Sequence, residues 1–498
     1  MWRSRTPRNG TWHEGVRWGR GRQWGQASLQ RVALAHACVL LGLLSFGCQR
    51  GGEETTPEPV VAPASSRMRG VAVELLANEE LLTVASPGSR STRGITLDAS
   101  TLPARYAPGD HVAIYPKNPI GRVEHLCARL GIDPDARFEV VSGSTPITGR
   151  TPREVLSREL SLALQEPFED LLETMSLLAS DSADRHRLEA LVEQLGYGGE
   201  YAAGMVENLM SRYVDLPALL DDFPSVMLSL PHLLELFPPM RPRLYSISSS
   251  PRLSPDRIKL TVGVVEVFLP SGQRRPGLCS HYLAELRPGA HVHVELRRSD
   301  FRLPEDPRTP LVLVGPGTGI SPLIGFLEER QALQTAGAEL GPAWLFFGCR
   351  NHTDYLYRDM LEAWLDTGVL TELDVAFSRL GPHKVYVQHI MQGRAEALWE
   401  MLSLPDCHVC ICGDAKMGDD VLETFVSIAM GVGGMSREAA TEYFAAMKRQ
   451  RRYQADVWGV TLHVAATTEK MKEASHERTG RFMERARPKT QMLVAALP

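Results

Sequence analysis

The sequence predicts a β unit interrupted by helices, followed by an α/β unit on a parallel sheet, and three patterns predict it. Between about 310 and 460 the apolar runs "PLVLVGP", "AWLFFGC", "ELDVAFS" and "HVCICGD" are each followed by helical sequence. That alternation builds a parallel sheet with helices on both faces. Residues 241–300 read instead as successive strands, "RLYSISSS", "IKLTVGVVEV" and "HVHVEL". Between them and an earlier strand, residues 121–238 carry leucines at helical spacing.

The chain of 498 residues is long enough for two or three domains, and its 43% hydrophobic and 23% charged residues are ordinary for a globular protein. A net charge of −5 points to no nucleic-acid partner. Eight cysteines in this length make no disulfide scaffold. Cys407, Cys410 and Cys412 lie close together, but no second ligand cluster accompanies them, so "HVCICGD" reads as a buried strand ending in a turn and no metal is expected.

The first 67 residues stand apart. Residues 1–31 hold seven arginines and one acid, Glu14, and residues 32–46 are apolar but short for a membrane span. With "SFGC" ending at Cys48, this reads as a signal peptide closing on a lipoprotein cysteine, although Ser45 stands where such signals usually carry leucine. A Pro-rich tether then runs to residue 67. The alternative is a misassigned start codon with a nonfunctional extension.

Globular texture starts at Val71. In Ala104–Asn118, "ARYAPGDHVAIYPKN", a Pro-Gly-Asp turn feeds an alternating strand. Thr151, Pro152, Arg153 and Glu154 form a capping box with proline at the first helical position, and Leu156, Leu160 and Leu164 are expected on one face of the helix that follows. These leucines read as core.

At "LVGPGTGISP", Leu313–Pro322, a strand gives way to a glycine-rich turn and then a helix, the arrangement by which α/β folds bind phosphate. Glycines let backbone approach the ligand, and the helix N-terminus offers unpaired N–H groups. Ser321 is the expected N-cap and Pro322 the first helical residue. Further on, "FSRLGPHKVYVQ" sets Ser378, Arg379, Lys384, Tyr386 and Gln388 after another strand. An NADH site usually places an acid there for the ribose hydroxyls. A hydroxyl with two cations suits a 2′-phosphate, hence NADPH, with Tyr386 available to stack on adenine.

Seven segments, "RPRLYSISSSP", "GLCSHYL", "GPGTGISPLIGFLEER", "FFGCRNHTDYLYRDM", "AFSR…KVYVQ", "CGDAKMGDDV" and "RRYQADVWGVTL", occur in the order and spacing of the diflavin reductases. The chain resembles the FAD/NADPH half of that family over roughly residues 70–470. The resemblance implies a ferredoxin-NADP reductase-like fold. An antiparallel FAD-binding barrel over residues 68–304 would carry a helical connecting insert at about 121–238. A Rossmann-like NADP-binding domain would fill 305–460, and a C-terminal tail 461–498. By the same resemblance Arg243, Tyr245 and Ser246 bind FAD, with Thr261, Val262 and Gly263 on its adenosine side. Gly277, Leu278, Cys279 and Ser280 form a second pyrophosphate clamp. Gly317 and Thr318 hold the NADPH pyrophosphate, joined by Cys349, Arg350, Asp420 and the 2′-phosphate group of residues. Ser246, Cys412 and Asp456 flank the site of hydride transfer, and Trp458 is the aromatic that shields the flavin.

The resemblance implies an FAD- and NADPH-dependent oxidoreductase. The family's FMN-binding domain would lie ahead of the FAD part, where some seventy residues stand here, so electrons are expected to leave for a separate flavodoxin-like or haem protein. A simple ferredoxin or flavodoxin reductase, or a non-catalytic nucleotide-binding lipoprotein, are the competing readings. NADPH supply favours the cytoplasm, with membrane association through the N-terminus; lipid anchoring at Cys48 is the alternative.

Overall fold

The computed structural model describes residues 70–83, 90–142, 145–164, 168–196, 199–270 and 272–458. The signal-like segment, Cys48, the tether and the tail lie outside the described residues.

Six strands form one antiparallel sheet in the order β6-β3-β10-β1-β2-β7. They are β1 (Val71–Glu80), β2 (Thr92–Asp98), β3 (His111–Tyr115), β6 (Arg243–Ser246), β7 (Arg257–Gly263) and β10 (His291–Arg297). Its two ends meet: an antiparallel bridge joins Ile247, just past β6, to Leu260 of β7, so the sheet closes on itself. The alternation seen in "HVAIY" and "IKLTV" points Val112, Ile114, Ile258, Leu260 and Val262 into a core shared with Val73, Leu75, Val292 and Val294. Pro108 and Gly109 make the turn before β3, where Gly109 has φ +89° and an added Cβ would stand 1.9 Å from the Phe301 carbonyl oxygen.

The segment between β3 and β6 packs its own core, from Val123 to Phe237. Its helices are α1 (Ile120–Leu130), α2 (Pro152–Arg158), α3 (Glu169–Leu178), α4 (Ser182–Gly196), α5 (Gly199–Arg212), α6 (Leu216–Asp222) and α7 (Leu230–Leu236). The capping box is formed: Thr151 Oγ1 accepts from the Glu154 N–H and Glu154 Oε2 accepts from the Thr151 N–H. Two features depart from the all-helical expectation for 121–238. A hairpin, β4 (Phe138–Ser142) with β5 (Thr145–Arg150), interrupts it. The helix carrying Leu156 also ends at Arg158, and Leu160 instead bridges to Pro239. The buried Asn118 amide draws the chain out of the helix by donating to the carbonyls of Leu156 and Leu160 at 2.6 and 2.7 Å. Leu156, Leu160 and Leu164 remain buried, as apolar side chains rather than as one helical stripe.

A small hairpin, β8 (Glu266–Phe268) and β9 (Arg274–Pro276), leads into α8 (Leu278–Glu285). Beyond β10 the chain enters a five-stranded parallel sheet in the order β13-β12-β11-β14-β15. These strands are β11 (Leu311–Val314), β12 (Ala343–Cys349), β13 (Glu372–Phe377), β14 (His408–Asp414) and β15 (Tyr453–Trp458). The connecting helices are α9 (Ile320–Thr335), α10 (Arg358–Thr367), α11 (Val387–Gly393), α12 (Ala395–Leu402), α13 (Ala415–Gly431) and α14 (Arg437–Arg449). Strands β11 and β12 are buried throughout, as expected of strands covered on both faces. The chain winds outward from β11 through β12 to β13, then returns to place β14 on the other side of β11. Ligands of such sheets bind at that reversal, beyond the strands' carboxyl ends.

In the core under β14 and β15, Phe425 lies 5.6 Å from Phe444 and 6.2 Å from Tyr453, ring to ring. Phe425→Ala is expected to cost about 3–5 kcal/mol. Urea unfolding followed by tryptophan fluorescence checks it; a midpoint unchanged from wild type would show that this cluster does not hold the parallel sheet together.

Candidate functional site

A cleft of about 1220 Å³ opens between the two sheets, lined by the end of β6, the end of β7 and the loops at the carboxyl ends of β11, β12, β13 and β14. Its floor is the glycine turn. Residues Gly317–Gly319 form a 3-10 turn that runs straight into α9 at Ile320. Gly317 has φ +58°, and a Cβ on Gly319 would lie 2.1 Å from the Cys412 carbonyl oxygen, so the turn presses against β14. The expected N-cap is displaced as a result. Ser321 already lies inside the first turn of α9, and its hydroxyl donates to the Ser246 carbonyl at 2.7 Å rather than capping. Pro322 sits beside it in the first turn, where its missing N–H leaves no gap.

Two pairs of directly opposed residues meet at the seam between the sheets, and of the four only Ser246 lines the cleft. His111 and Ser246 are register partners on β3 and β6, and Cys412 and Asp456 are register partners on β14 and β15. The Asp456 carboxylate reaches from the parallel sheet to the antiparallel one. It accepts from Ser246 Oγ at 2.8 Å, from His111 Nε2 at 3.0 and 3.2 Å and from Cys412 Sγ at 3.8 Å. Burial pushes the Asp456 pKa up, but bonding and charge from His111, with the Ser246 and Cys412 bonds, outweigh it and hold the group below the ordinary carboxylate value. Cys412 goes the other way: burial first, then the neighbouring carboxylate, raise its thiol far above the usual range. Ser246, Cys412 and Asp456 are therefore brought together. His111 was not singled out from sequence; the signal was its place in "GDHVA", legible only once β3 is registered against β6.

The cation cluster likewise has one member that sequence reasoning missed. Arg90, at the start of β2's side of the β1–β2 connection, lines the cleft with Arg350. Burial, then Arg90 and Arg379, lower the Arg350 pKa, and the Asp354 carboxylate only partly offsets them. Ser378 lines the cleft and its N–H and hydroxyl donate to the Cys349 carbonyl at 2.9 and 3.3 Å. Tyr386 is 42% exposed and also lines it, as do Thr318, Cys349 and Asp420. Gln388 Oε1 is buried there without a hydrogen-bond partner. Arg379 and Lys384 are exposed and stand outside the lining.

On the antiparallel side, Tyr245, Ser246, Thr261 and Gly263 line the cleft, and the Tyr245 hydroxyl is bonded to the buried Cys279 thiol. Three expected contacts are placed otherwise. Val262 turns its side chain into the core, because neighbours on a strand face opposite sides. Arg243 is exposed and donates to the Arg241 carbonyl at 2.8 Å. Gly277–Ser280 do form a helix start, but Gly277 N–H is spent on the Val265 carbonyl and Ser280 Oγ accepts from the Val265 N–H. Val265, Glu266 and Phe268 line the cleft in their stead. Trp458, 47% exposed, closes the opposite wall.

The residues fit two nucleotides. A glycine turn admits phosphate against backbone, Arg90 and Arg350 gather positive charge, Gln388 has an acceptor unused among the described residues, and Tyr245 and Trp458 give flat walls. Such a site on two joined sheets defines a flavin- and pyridine-nucleotide-binding protein. Comparison with known proteins agrees: residues 64–282 match the FAD binding domain model and residues 313–423 the oxidoreductase NAD-binding domain model. The NADPH–cytochrome P450 reductase of Cavia porcellus is 36% identical over 380 residues, covering 73% of this chain and 55% of the relative. Those of Drosophila melanogaster and Mus musculus are each 35% identical, over 384 and 380 residues, covering 74% and 73% of this chain and 56% and 55% of the relative. The chain belongs to the diflavin reductases and corresponds to their FAD- and NADPH-binding half; it spans about half the length of the curated relatives it matches.

Burial pushes the thiols of Cys349, Cys407 and Cys410 up to about 12 and that of Cys279 to about 11. With Cys412 raised further, all five stay protonated at pH 8 and are expected to resist iodoacetamide in the folded protein. Peptide mapping after alkylation checks this; rapid labelling of Cys412 before denaturation would contradict its buried, carboxylate-facing placement.

Proposed function

We propose that the chain is an NADPH-dependent FAD flavoprotein reductase that hands electrons to a separate acceptor protein, flavodoxin-like or haem-containing. The supporting observation is the Asp456 carboxylate, set between a nucleotide-phosphate turn and the β6 hydroxyl of Ser246. In this reading the fold is ferredoxin-NADP reductase-like. The closed antiparallel sheet within 68–304 takes FAD, the segment at about 121–238 is its connecting insert, and 305–460 takes NADPH.

When bound, reduced nicotinamide supplies a hydride and the flavin accepts it. The protein's share is alignment and charge. Arg90 and Arg350 would hold phosphate at one end of the cleft, with exposed Arg379 beside it to reach the 2′-phosphate and Ser378 and Gln388 offering polar contacts. The Gly317–Gly319 turn brings backbone N–H groups to the pyrophosphate. Tyr245 and Trp458 provide apolar faces that exclude water, and Trp458 must move for the two rings to meet. Asp456, largely covered and hydrogen-bonded to Ser246, would place a negative charge beside the reacting rings where positive charge develops.

The names of the relatives point to a cytochrome P450 as their electron acceptor, and a haem protein of that kind is one candidate here. The helical insert, with a core of its own, is the surface on which we place the acceptor. Dependence on NADPH favours the cytoplasmic side. Among the described residues no helix is long and apolar enough to cross a membrane.

The purified protein is expected to be yellow and to bleach anaerobically with NADPH, and far more slowly with NADH. A colourless protein that takes up no FAD would overturn the reading and favour a nucleotide-binding module without turnover. Arg379→Ala removes one charged hydrogen-bond donor, worth about 1.5–3 kcal/mol, so it should weaken NADPH roughly 10- to 100-fold and leave NADH nearly unchanged. Steady-state kinetics with both nucleotides decide it; equal losses would remove the 2′-phosphate assignment.

A further inference from the structure

We propose that His111 is a positioning residue for hydride transfer, anchoring the Asp456 carboxylate across the seam between the two sheets. The proposal rests on the reductase reading above and extends it to a residue on the antiparallel sheet that does not line the cleft.

The geometry carries it. Asp456 belongs to β15, the edge strand of the parallel sheet, and only β14 flanks it there. Its carboxylate is held from outside its own sheet by two barrel residues, and the longer grip is that of the imidazole, whose Nε2 lies within 3.0 and 3.2 Å of both oxygens. Ser246 Oγ and Cys412 Sγ both address Oδ2 alone. Without His111 the carboxylate is free to turn about its last bond, because a single-oxygen contact does not fix the plane. Both side chains of the pair are largely covered, at 16% exposed for His111 and 21% for Asp456, so water substitutes poorly for the lost donor.

The carboxylate is faced by the His111 imidazole from β3, the Ser246 hydroxyl from β6 and the Cys412 thiol from β14. Burial alone raises its pKa; these three lower it, with His111 contributing most. Removing His111 therefore moves the Asp456 pKa upward and takes away the one donor that reaches both of its oxygens. Sequence position hid this pair: His111 and Asp456 lie 345 residues apart.

The test compares wild type with His111→Leu and His111→Gln, each loaded with FAD. Leucine keeps bulk and removes the donor, while the glutamine amide restores an N–H of similar reach. Carbon-13 NMR of the aspartate carboxyls, with Asp456 assigned through Asp456→Asn, is recorded without pyridine nucleotide. The Asp456 titration midpoint should rise in His111→Leu and return part-way in His111→Gln. Stopped-flow reduction by NADPH should slow roughly tenfold in His111→Leu, the equivalent of one charge-assisted hydrogen bond. Its acidic limb should move to higher pH, with the apparent affinity for NADPH little changed. An Asp456 midpoint unmoved in His111→Leu, or an unaltered rate and pH profile with FAD content intact, would overturn the proposal. Should His111→Leu fail to retain FAD, the His111→Gln and wild-type pair decides: a rate and midpoint equal to wild type support the donor role, and a loss as large as that of Asp456→Asn overturns it. If wild type itself is not reduced by NADPH, the reductase reading falls, and the NMR midpoints alone still decide whether His111 governs Asp456.

Discussion

One carboxylate joins the two halves of this molecule where its chemistry would occur. Asp456 is contributed by the last strand of the parallel sheet, yet two of its donors belong to the antiparallel sheet. Each sheet presents a register pair, His111 with Ser246 and Cys412 with Asp456, and the cleft residues can be aligned only if both registers hold. A slip of one residue on either strand would turn the relevant side chain to the opposite face. The site therefore depends on strand pairing far more than on any loop.

The surrounding seam is built to keep that alignment. Helix α9, which follows the glycine turn, is locked to the chain that continues β6. Ser321 donates to the Ser246 carbonyl, Glu328 accepts from the Ser250 N–H at 2.9 Å and pairs with Lys259 at the same distance, and Glu329 takes the Ser250 hydroxyl and Arg252. Gly325 allows this approach, since a Cβ there would sit 3.1 Å from the carbonyl oxygens of Ile247 and Ser249. Glu328 is almost wholly buried, and a buried carboxylate is tolerated only when fully bonded, so this contact specifies one docking arrangement rather than merely adding affinity. Tyr357 adds a second tie. It holds a left-handed backbone, φ 57°, unusual for a side chain of its size, while its hydroxyl meets Thr261 Oγ1 at 2.6 Å. The cost of that conformation is local, and the bond it permits spans the two sheets beside the cleft.

What could be read from the residues alone follows the range of the interactions. The glycine turn, the alternating strands and helices, and the capping box at Thr151 are local patterns, and they appear in the structure where their spacing puts them. The hydroxyl, thiol and carboxylate of Ser246, Cys412 and Asp456 were reachable through resemblance, and the structure brings the three together. Misreadings came from tertiary override. Ser321 has the chemistry of an N-cap, but a 3-10 turn starts the helix earlier and a nearby carbonyl claims its hydroxyl. The hairpin Phe138–Arg150, by contrast, packs Phe138 into that core, and its β-branched Val140, Val141, Ile147 and Thr148 around a Ser-Gly-Ser turn were a local strand signal that the helical reading passed over. Arg90 and His111 were invisible for a different reason: each is an ordinary residue on an ordinary strand or turn until a partner hundreds of residues away is laid against it.

Strand β15 shows how much an edge strand can carry when its free face is turned inward. Residues two apart share a face, so Gln454, Asp456 and Trp458 form one row. Gln454 grips the inter-sheet linker from both sides, its Oε1 accepting from the Arg302 N–H at 2.7 Å and its Nε2 donating to the Arg302 carbonyl at 2.9 Å. Asp456 binds the antiparallel sheet, and Trp458 ends at the cleft wall. The first residue of the row fixes the strand to the linker, the second fixes it to the partner sheet, and the third, still in register with Asp414 of β14, is 47% exposed. One strand thus sets a held acid against the partner sheet and, two residues on, an exposed aromatic against the cleft wall, so the charge and the ring are placed by the same register.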